Sequence, residues 1–100
     1  MGVGEPANGW AIVAMSAAKV VMYATRFCPY CMRARSLLKK KGVEFEEISV
    51  GGDKELWAEM EQRSGRNTVP QIFIDDKPVG GYDDIAALNR AGELDSLLGI

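Results

Sequence analysis

The sequence predicts an α/β domain in which helices cover both faces of a four-stranded mixed sheet. Short β-branched and alternating runs indicate strands, apolar positions at helical spacing indicate helices between them, and the order is β-α-β-α-β-β-α. Strands joined by a helical crossover are parallel, whereas strands joined by a tight turn are antiparallel. A chain of 100 residues, 47% hydrophobic and 26% charged, has the size and composition of one globular domain.

Four segments have the pattern of strands. Lys19–Ala24 is a β-branched and aromatic run typical of a buried strand, and Val43–Val50 alternates apolar and charged residues as a half-exposed strand does. Gln71–Ile74 follows a proline and is separated from Lys77–Val79 by only Asp75-Asp76. Because a two-residue connection joins antiparallel strands, the last two segments are predicted to form a hairpin.

Two helices are predicted between these strands. The first begins after Cys28-Pro29 and ends at Gly42, which fits a C-terminal cap. The second is capped by Asp53 and ends before Gly65. Their apolar faces consist of Cys31, Met32, Ala34, Leu37 and Leu38 in the first helix, and of Leu56, Trp57 and Met60 in the second.

The C-terminal part is predicted to be helical. Gly80-Gly81 interrupts the hairpin, and either Asp83 or Asp84 starts a helix that runs to Gly92. A final helical turn or two follows. The apolar residues of these segments are Ile85, Ala86 and Leu88, then Leu94, Leu97 and Leu98.

The composition excludes several kinds of chemistry. The chain has no histidine, which excludes Ser-His-Asp and Cys-His catalytic groups and histidine-based metal sites. Two cysteines are too few for a disulfide scaffold or for a closed zinc site in one chain, so no metal is expected. The net charge of −2 does not favour a nucleic-acid partner. The cysteines are therefore either incidental or central to the function.

The hydropathy and the N-terminal sequence predict where in the cell the protein is located. No stretch reaches the roughly 18 apolar residues of a membrane span, and the N-terminus lacks the pattern of a secretory signal. We therefore expect no membrane partner and a cytoplasmic location, where a structural disulfide is disfavoured. Residues 1–14 are interpreted as an N-terminal extension or an expression scar, and residues 15–100 as the domain.

Both cysteines lie in a block of positive charge. Residues 19–41 contain seven basic residues and no acidic one, whereas residues 42–61 contain seven acidic residues against Lys54. Cations near a thiol favour its thiolate form. The run Lys39–Lys41, taken alone, is more typical of a solvated helix face.

Cys28-Pro29-Tyr30-Cys31 falls where a strand passes into a helix. The first-turn amides and the helix dipole stabilise negative charge on Cys28, and Cys31 lies nearly one turn further on, within reach of Cys28. The pattern predicts a redox pair in which Cys28 is the exposed nucleophile and Cys31 the protected resolving thiol. Two free core cysteines, or half of an intermolecular zinc site, are the alternatives.

Three segments together resemble the signatures of dithiol glutaredoxins, in particular of the small bacterial type. They are Tyr23–Cys31, Thr68-Val69-Pro70 and Gly80–Asp84, and the resemblance covers residues 17–100. It implies a thioredoxin-like fold and a monomer that uses glutathione to reduce protein disulfides and glutathionyl mixed disulfides in cell redox homeostasis. Ribonucleotide reductase and peroxide-handling enzymes are the family-level candidate partners. A thioredoxin-like protein disulfide reductase and a glutathione-assisted iron–sulfur cluster carrier are the alternatives.

The resemblance also implies a glutathione site. The Val69-Pro70 bond is cis in the family, which leaves the Val69 main chain to pair with the cysteinyl residue of glutathione. Helix amides at Asp83 and Asp84 hold the γ-glutamyl carboxylate, and the Asp83 side chain accepts from the ammonium group. Without the resemblance, a trans proline and an ordinary glycine turn with an aspartate N-cap explain the same residues. The implied contact residues are Thr25, Cys28, Tyr30, Thr68, Val69, Pro70, Gly81, Tyr82 and Asp83.

Thr25 departs from the family pattern. Many members have a lysine three residues before the first cysteine, where it helps to hold the glycyl carboxylate and favours the thiolate. Threonine donates a hydrogen bond but carries no charge. Arg26, Arg63 and Arg66 are the candidates to supply the positive charge of the missing lysine. Tyr82 stands where some relatives have a further cysteine, so that additional oxidisable thiol is missing.

Overall fold

A computed structural model describes residues 18–100, and within them a four-stranded mixed sheet is flanked by helices. The elements are β1 (Val20–Ala24), α1 (Pro29–Lys40), β2 (Glu46–Ser49), α2 (Lys54–Ser64), β3 (Gln71–Ile74), β4 (Lys77–Gly80), α3 (Tyr82–Arg90) and α4 (Leu94–Leu98). The sheet order is β2-β1-β3-β4, with β1 parallel to β2 and the other two pairings antiparallel. The predicted fold class and element order are confirmed. The segment 1–14, interpreted as an extension or scar, lies outside the described residues.

Strand β1 is the centre of the domain, and all five of its residues are buried. Because side chains alternate across a strand, β1 contributes to two separate cores. On one face, Met22 packs with residues of α1, α3 and α4, and on the other face Tyr23 packs with Met60 of α2 and with Phe73. Helices therefore cover both faces of the sheet, as the sequence predicts.

Tyr23 carries the polar group of the smaller core. Its ring meets Phe73 edge-on at 5.5 Å between centroids, and its hydroxyl donates to Glu59 Oε2 at 2.6 Å and accepts from Arg63 Nη1 at 2.5 Å. Burial and the Glu59 hydrogen bond raise the pKa of Tyr23, so the hydroxyl remains a donor at neutral pH. The interaction satisfies a polar group that would otherwise be costly to bury.

Two predicted boundaries are wrong by a few residues. Strand β2 begins at Glu46, not Val43, because pairing with β1 starts at the Val21–Glu46 register. Phe45, which precedes it, packs against the larger core without joining the sheet, so alternation there reports burial and not strand pairing. Helix α3 begins at Tyr82 with Gly81 as its N-cap, earlier than the predicted start at an aspartate.

The hairpin turn lies at the end of the sheet opposite to the cysteines. Asp75 and Asp76 both have positive φ, 53° and 67°, as a type I′ hairpin turn requires. The Asp75 main-chain N–H donates to Lys19 O at 2.8 Å, and its Oδ1 accepts from Lys19 N at 3.0 Å. The turn is thereby joined to the start of β1, whereas Cys28 follows the end of β1.

Asp53 is confirmed as the N-cap of α2, since its Oδ1 accepts from Leu56 N at 3.0 Å. We expect Asp53→Ala to lower the free energy of unfolding by about 1 kcal/mol, because a first-turn N–H loses its partner. Urea denaturation measures this change. Asp53→Ser, which retains a cap oxygen, is the matched control and should lose much less. Equal losses in the two variants would contradict a capping role.

Candidate active site

Cys28 is the residue at which α1 begins. It has extended backbone angles, φ −81° and ψ 119°, Pro29 occupies the start of the helix, and the Cys28 Sγ accepts from the Cys31 N–H at 3.3 Å. An N-cap acceptor satisfies an amide that has no partner within the helix, and negative charge there is favoured by the helix dipole. The sulfur of Cys28 is thus both a cap and a group placed to carry negative charge.

The two cysteines have different environments. Both are free thiols, but Cys28 is only half-buried whereas Cys31 is fully buried. Burial, more than any other influence, raises the pKa of Cys31 to about 11. Cys31 therefore keeps its proton at neutral pH, while Cys28 is the thiol that a substrate can reach.

The loop before β3 faces Cys28. The Val69-Pro70 peptide bond is cis, as the family resemblance implies. The Cys28 Sγ lies 3.9 Å from the Val69 carbonyl oxygen, while Pro70 is buried and Thr68 is exposed at the surface. This arrangement brings main-chain polar groups of the loop to the sulfur, at the position where a peptide-like ligand of Cys28 would meet them.

Gln71 holds this loop and was missed by the sequence reasoning. It is the one polar residue among the buried residues of the described chain, with 1% exposure. Its Nε2 donates to the Thr68 carbonyl at 2.9 Å and to the Thr68 Oγ1 at 3.2 Å. A glutamine at the start of an otherwise apolar strand was the available signal, because a buried amide requires partners nearby.

The glycine pair before α3 accommodates the protein's own groups. Gly80 has φ +124°, and a Cβ there would lie 2.3 Å from Asp84 Oδ2. A Cβ on Gly81 would lie 3.2 Å from the Pro70 carbonyl oxygen. The two glycines therefore leave room for the Asp84 carboxylate and for the backbone of the loop.

Asp84 and Asp83 have separate environments. The Asp84 Oδ2 accepts from the Gly81 N–H at 2.8 Å and from Arg66 Nη1 at 2.9 Å. These contacts, that of Gly81 foremost, lower the pKa of Asp84. The Asp83 side chain is exposed and has no hydrogen-bond partner among residues 18–100. The capping role therefore belongs to Asp84, and the Asp83 carboxylate points to no protein group of the described chain.

The aromatic members of the predicted site differ in exposure. Tyr30 is 51% exposed beside Cys28, whereas Tyr82 is half-buried and packs against the larger core. The Tyr82 main-chain N–H is at the first turn of α3, where amides lack partners within the helix. The side chain of Tyr30 is therefore available to a ligand at the surface, whereas Tyr82 presents mainly its main-chain N–H.

Thr25 borders a shallow groove beside Cys28. The groove has a volume of about 600 Å³ and is lined by Thr25, Arg26, Phe27, Cys28, Ser49 and Gly51. A second groove of about 530 Å³ runs past Arg66 to Thr68. Of the three arginines considered as substitutes for the family lysine, Arg26 and Arg66 therefore lie along grooves of the predicted site.

Arg63 points elsewhere. Its guanidinium lies 4.5 Å from the Phe73 ring centroid and 3.8 Å from Asp76 Oδ1, in addition to its bond with the Tyr23 hydroxyl. Asp76 belongs to the hairpin turn at the opposite end of the sheet. Arg63 is therefore a structural cation of the smaller core.

Arg35 is a further charged group near the thiols that the sequence reasoning missed. Its Nε and Nη2 donate to the two Glu47 oxygens at 2.8 and 2.6 Å, a bidentate pair that joins α1 to β2. The Glu47 hydrogen bond raises the pKa of Arg35, and the positive charge of Arg35 lowers the pKa of Cys31, although burial outweighs this effect. Its position one turn after Cys31 was the available signal.

Within residues 18–100, no group of three or more cysteine, aspartate and glutamate side chains has the arrangement of a metal site. No helix in the range has the length and apolar character that crossing a membrane requires.

An accessible thiol at a helix N-terminus, a buried second thiol one turn on and a cis-proline loop facing the pair define a thioredoxin-like thiol–disulfide oxidoreductase. The family model described as Glutaredoxin matches residues 20–79. The chain therefore belongs to the glutaredoxin family, whose members are glutathione-dependent thiol oxidoreductases.

Individual relatives agree with this assignment. A glutaredoxin of Pseudomonas aeruginosa is 56% identical over 79 residues, which cover 79% of this chain and 94% of the relative. The solution structure of a glutaredoxin from Brucella melitensis has a TM-score of 0.75 at 55% identity and covers 84% of this chain and 91% of that one. A buckwheat glutaredoxin–glutathione complex has a TM-score of 0.75 at 26% identity, covering 89% and 84%.

The difference between the thiols is testable by alkylation. With iodoacetamide at pH 7, we expect one adduct per chain, on Cys28, because Cys31 is buried and its pKa is raised to about 11. Peptide mapping by mass spectrometry locates the adduct. In denaturant both cysteines should react, which is the control. Modification of Cys31 in the folded protein at pH 7 would contradict the assignment.

Proposed function

We propose that this glutaredoxin reduces glutathionyl mixed disulfides with Cys28 alone and protein disulfides with Cys28 and Cys31 together. The observation that carries the proposal is the contrast between the thiols. Cys28 Sγ is accessible and accepts the Cys31 N–H at 3.3 Å, whereas Cys31 is buried with a raised pKa. A nucleophile must be accessible and ionised, and a resolving thiol must be close and protected.

The route for mixed disulfides needs only Cys28. Its thiolate attacks the glutathionyl sulfur, the bond between that sulfur and the substrate sulfur breaks, and the substrate thiolate leaves and takes up a proton. A second glutathione thiolate then attacks the glutathionyl sulfur on Cys28. This releases glutathione disulfide, one half of which came from the substrate, and restores the Cys28 thiolate, so each turnover consumes one free glutathione.

The route for protein disulfides uses both thiols. Cys28 attacks one sulfur of the substrate disulfide and forms a mixed disulfide, and Cys31 then loses its proton and attacks Cys28. The reduced substrate leaves, and two glutathione molecules reduce the Cys28–Cys31 disulfide and are released as glutathione disulfide. Since the pKa of Cys31 is raised to about 11, the resolving step should accelerate with increasing pH towards that value.

The proposed glutathione site uses the groups around Cys28. The Val69 main chain pairs with the cysteinyl residue of glutathione, between Thr68 and Pro70. The first-turn amides of α3, from Tyr82 on, bind the γ-glutamyl carboxylate, and Asp83 accepts from its ammonium group. The remaining proposed contacts are Thr25, Tyr30, Gly81 and, as the cation for the glycyl carboxylate, Arg66. Glutathione in the complex of the buckwheat relative supports this ligand.

We propose further that the protein acts as a monomer in the cytoplasm. Its substrates would be oxidised or glutathionylated proteins, with ribonucleotide reductase and peroxide-handling enzymes as candidates. No step proposed above requires a group from a second chain. The electron source is tested by turnover with glutathione and its reductase, compared with turnover with thioredoxin reductase. Turnover only with thioredoxin reductase would overturn the proposal.

The proposed roles of the two cysteines predict different activities for their serine variants. Cys28→Ser should abolish glutathione-dependent reduction of a small mixed disulfide, because no other accessible thiol lies at the helix N-terminus. Cys31→Ser should retain much of that activity and lose reduction of protein disulfides. Both activities are measured by coupling to glutathione reductase. Equal loss of mixed-disulfide activity in the two variants would show that the roles are misassigned.

Asp83 and Asp84 provide a matched pair. Asp83→Ala should raise the KM for glutathione severalfold and leave the free energy of unfolding nearly unchanged, because its side chain is exposed and forms no hydrogen bond within residues 18–100. Asp84→Ala should lower stability by about 1 kcal/mol or more, since it removes the acceptor of the Gly81 N–H. Steady-state kinetics and urea denaturation separate the two effects. If Asp83→Ala lowered stability without raising the KM for glutathione, Asp83 would stabilise the start of α3 and would not bind glutathione.

A further inference from the structure

The surface beside Cys28 carries two exposed pairs of an aromatic ring and an arginine. Phe27 is 84% exposed and Tyr30 is 51% exposed. The guanidinium carbon of Arg26 lies 5.5 Å from the Phe27 ring centroid, and that of Arg33 lies 5.5 Å from the Tyr30 ring centroid. We name these four residues the arginine–aromatic rim. They stand on both sides of Cys28 in the sequence.

Neither arginine of the rim forms an ion pair within the described part of the chain. Five basic residues form ion pairs within residues 18–100, namely Lys19, Arg35, Lys41, Arg63 and Arg66. Within the same range Arg26 and Arg33 form none, and residues 19–41 contain no acidic side chain to oppose them. The rim therefore presents positive charge to whatever approaches Cys28, and local potential of this kind attracts anionic groups.

The rings of the rim add an apolar component. Phe27 exposes nearly all of its ring and lines the groove of about 600 Å³ that reaches Cys28. Aromatic residues and arginine are enriched at protein interfaces relative to the rest of the surface. Charge and shape together fit a polypeptide that has carboxylates and an apolar side chain close to its reactive sulfur.

We propose that the arginine–aromatic rim selects protein substrates whose oxidised cysteine is flanked by acidic residues and an apolar residue. The inference rests on the proposed function and specifies its substrate class. In the bound substrate, its carboxylates pair with Arg26 and Arg33, and its apolar side chain packs on Phe27. The chemical step is unchanged: Cys28 attacks the glutathionyl sulfur, and the substrate cysteine leaves as a thiolate.

Three glutathionylated peptides test the proposal. They have one sequence with a phenylalanine near the cysteine and differ only in the two flanking positions, which are Glu, Gln or Lys. At low salt we expect kcat/KM for the Glu peptide to exceed that for the Gln peptide about threefold to tenfold, with the Lys peptide below both. The preference should fall as salt screens the charges.

Variants locate the preference on the rim. In Arg26→Gln/Arg33→Gln, the ratio of kcat/KM between Glu and Gln peptides should fall towards one. This ratio is insensitive to any change in glutathione binding, because both peptides carry the same glutathionyl group. Phe27→Ala should lower kcat/KM severalfold for the peptide that contains phenylalanine. For a peptide without the phenylalanine, kcat/KM should change much less. Lys77→Gln, which removes one charge beside the hairpin turn at the far end of the sheet, is the matched control and should keep the ratio.

Two results would overturn the proposal: equal kcat/KM for the three peptides, or an unchanged ratio in Arg26→Gln/Arg33→Gln. A small mixed disulfide without flanking residues, assayed in parallel, distinguishes this outcome from failure of the proposed function. Turnover of the small disulfide with no preference among peptides contradicts the rim alone. Absence of turnover on the small disulfide contradicts the proposed function, and with it the substrate class that depends on it.

Discussion

The hydrogen bond from the Cys31 N–H to the Cys28 sulfur, 3.3 Å long, joins the reactive atom of this domain to its secondary structure. A helix N-terminus needs an acceptor, and here the acceptor is the nucleophile. The start of α1 therefore depends on the same sulfur that reacts, at a position where the helix dipole favours negative charge. The same turn of helix places Cys31 in the core, where burial keeps it protonated. The same local geometry therefore leaves the first thiol accessible at the helix N-terminus and buries the second thiol in the core.

The sheet then determines what faces that sulfur. Because β1 lies between β2 and β3, the loops that follow β1 and precede β3 meet at one edge, where Tyr23 pairs with Gln71. Cys28 and the Val69 carbonyl come to 3.9 Å from each other as a result. Gln71 holds the loop from inside through two contacts with Thr68. Long-range strand pairing, which no local motif specifies, therefore brings Cys28 and the Val69 main chain together.

Features set by neighbouring residues were predictable from the sequence. The Asp53 cap, the Asp75-Asp76 turn and the start of a helix after Cys28 depend on contacts within a few residues, and local chemistry identifies them. The start of β2 was not predictable in this way, since apolar alternation continues through Phe45 although pairing with β1 begins only at Glu46.

Groups joined over long sequence distances escaped prediction for the same reason. Arg35 binds Glu47, and Arg63 contacts Tyr23 forty residues away. Charge pattern alone does not identify which carboxylate or hydroxyl each arginine meets. The family resemblance implied the cis Val69-Pro70 bond, but the residues alone favoured a trans bond.

The division between Asp83 and Asp84 has a consequence for how this site can diversify. One carboxylate is committed to the fold, through Gly81 and Arg66, and its neighbour is not. A sequence drifting under selection for a different ligand could therefore replace the side chain at 83 while α3 still starts in the same place. The two adjacent aspartates would then evolve at different rates, because folding constrains position 84 whereas only ligand binding, in the proposed glutathione site, constrains position 83.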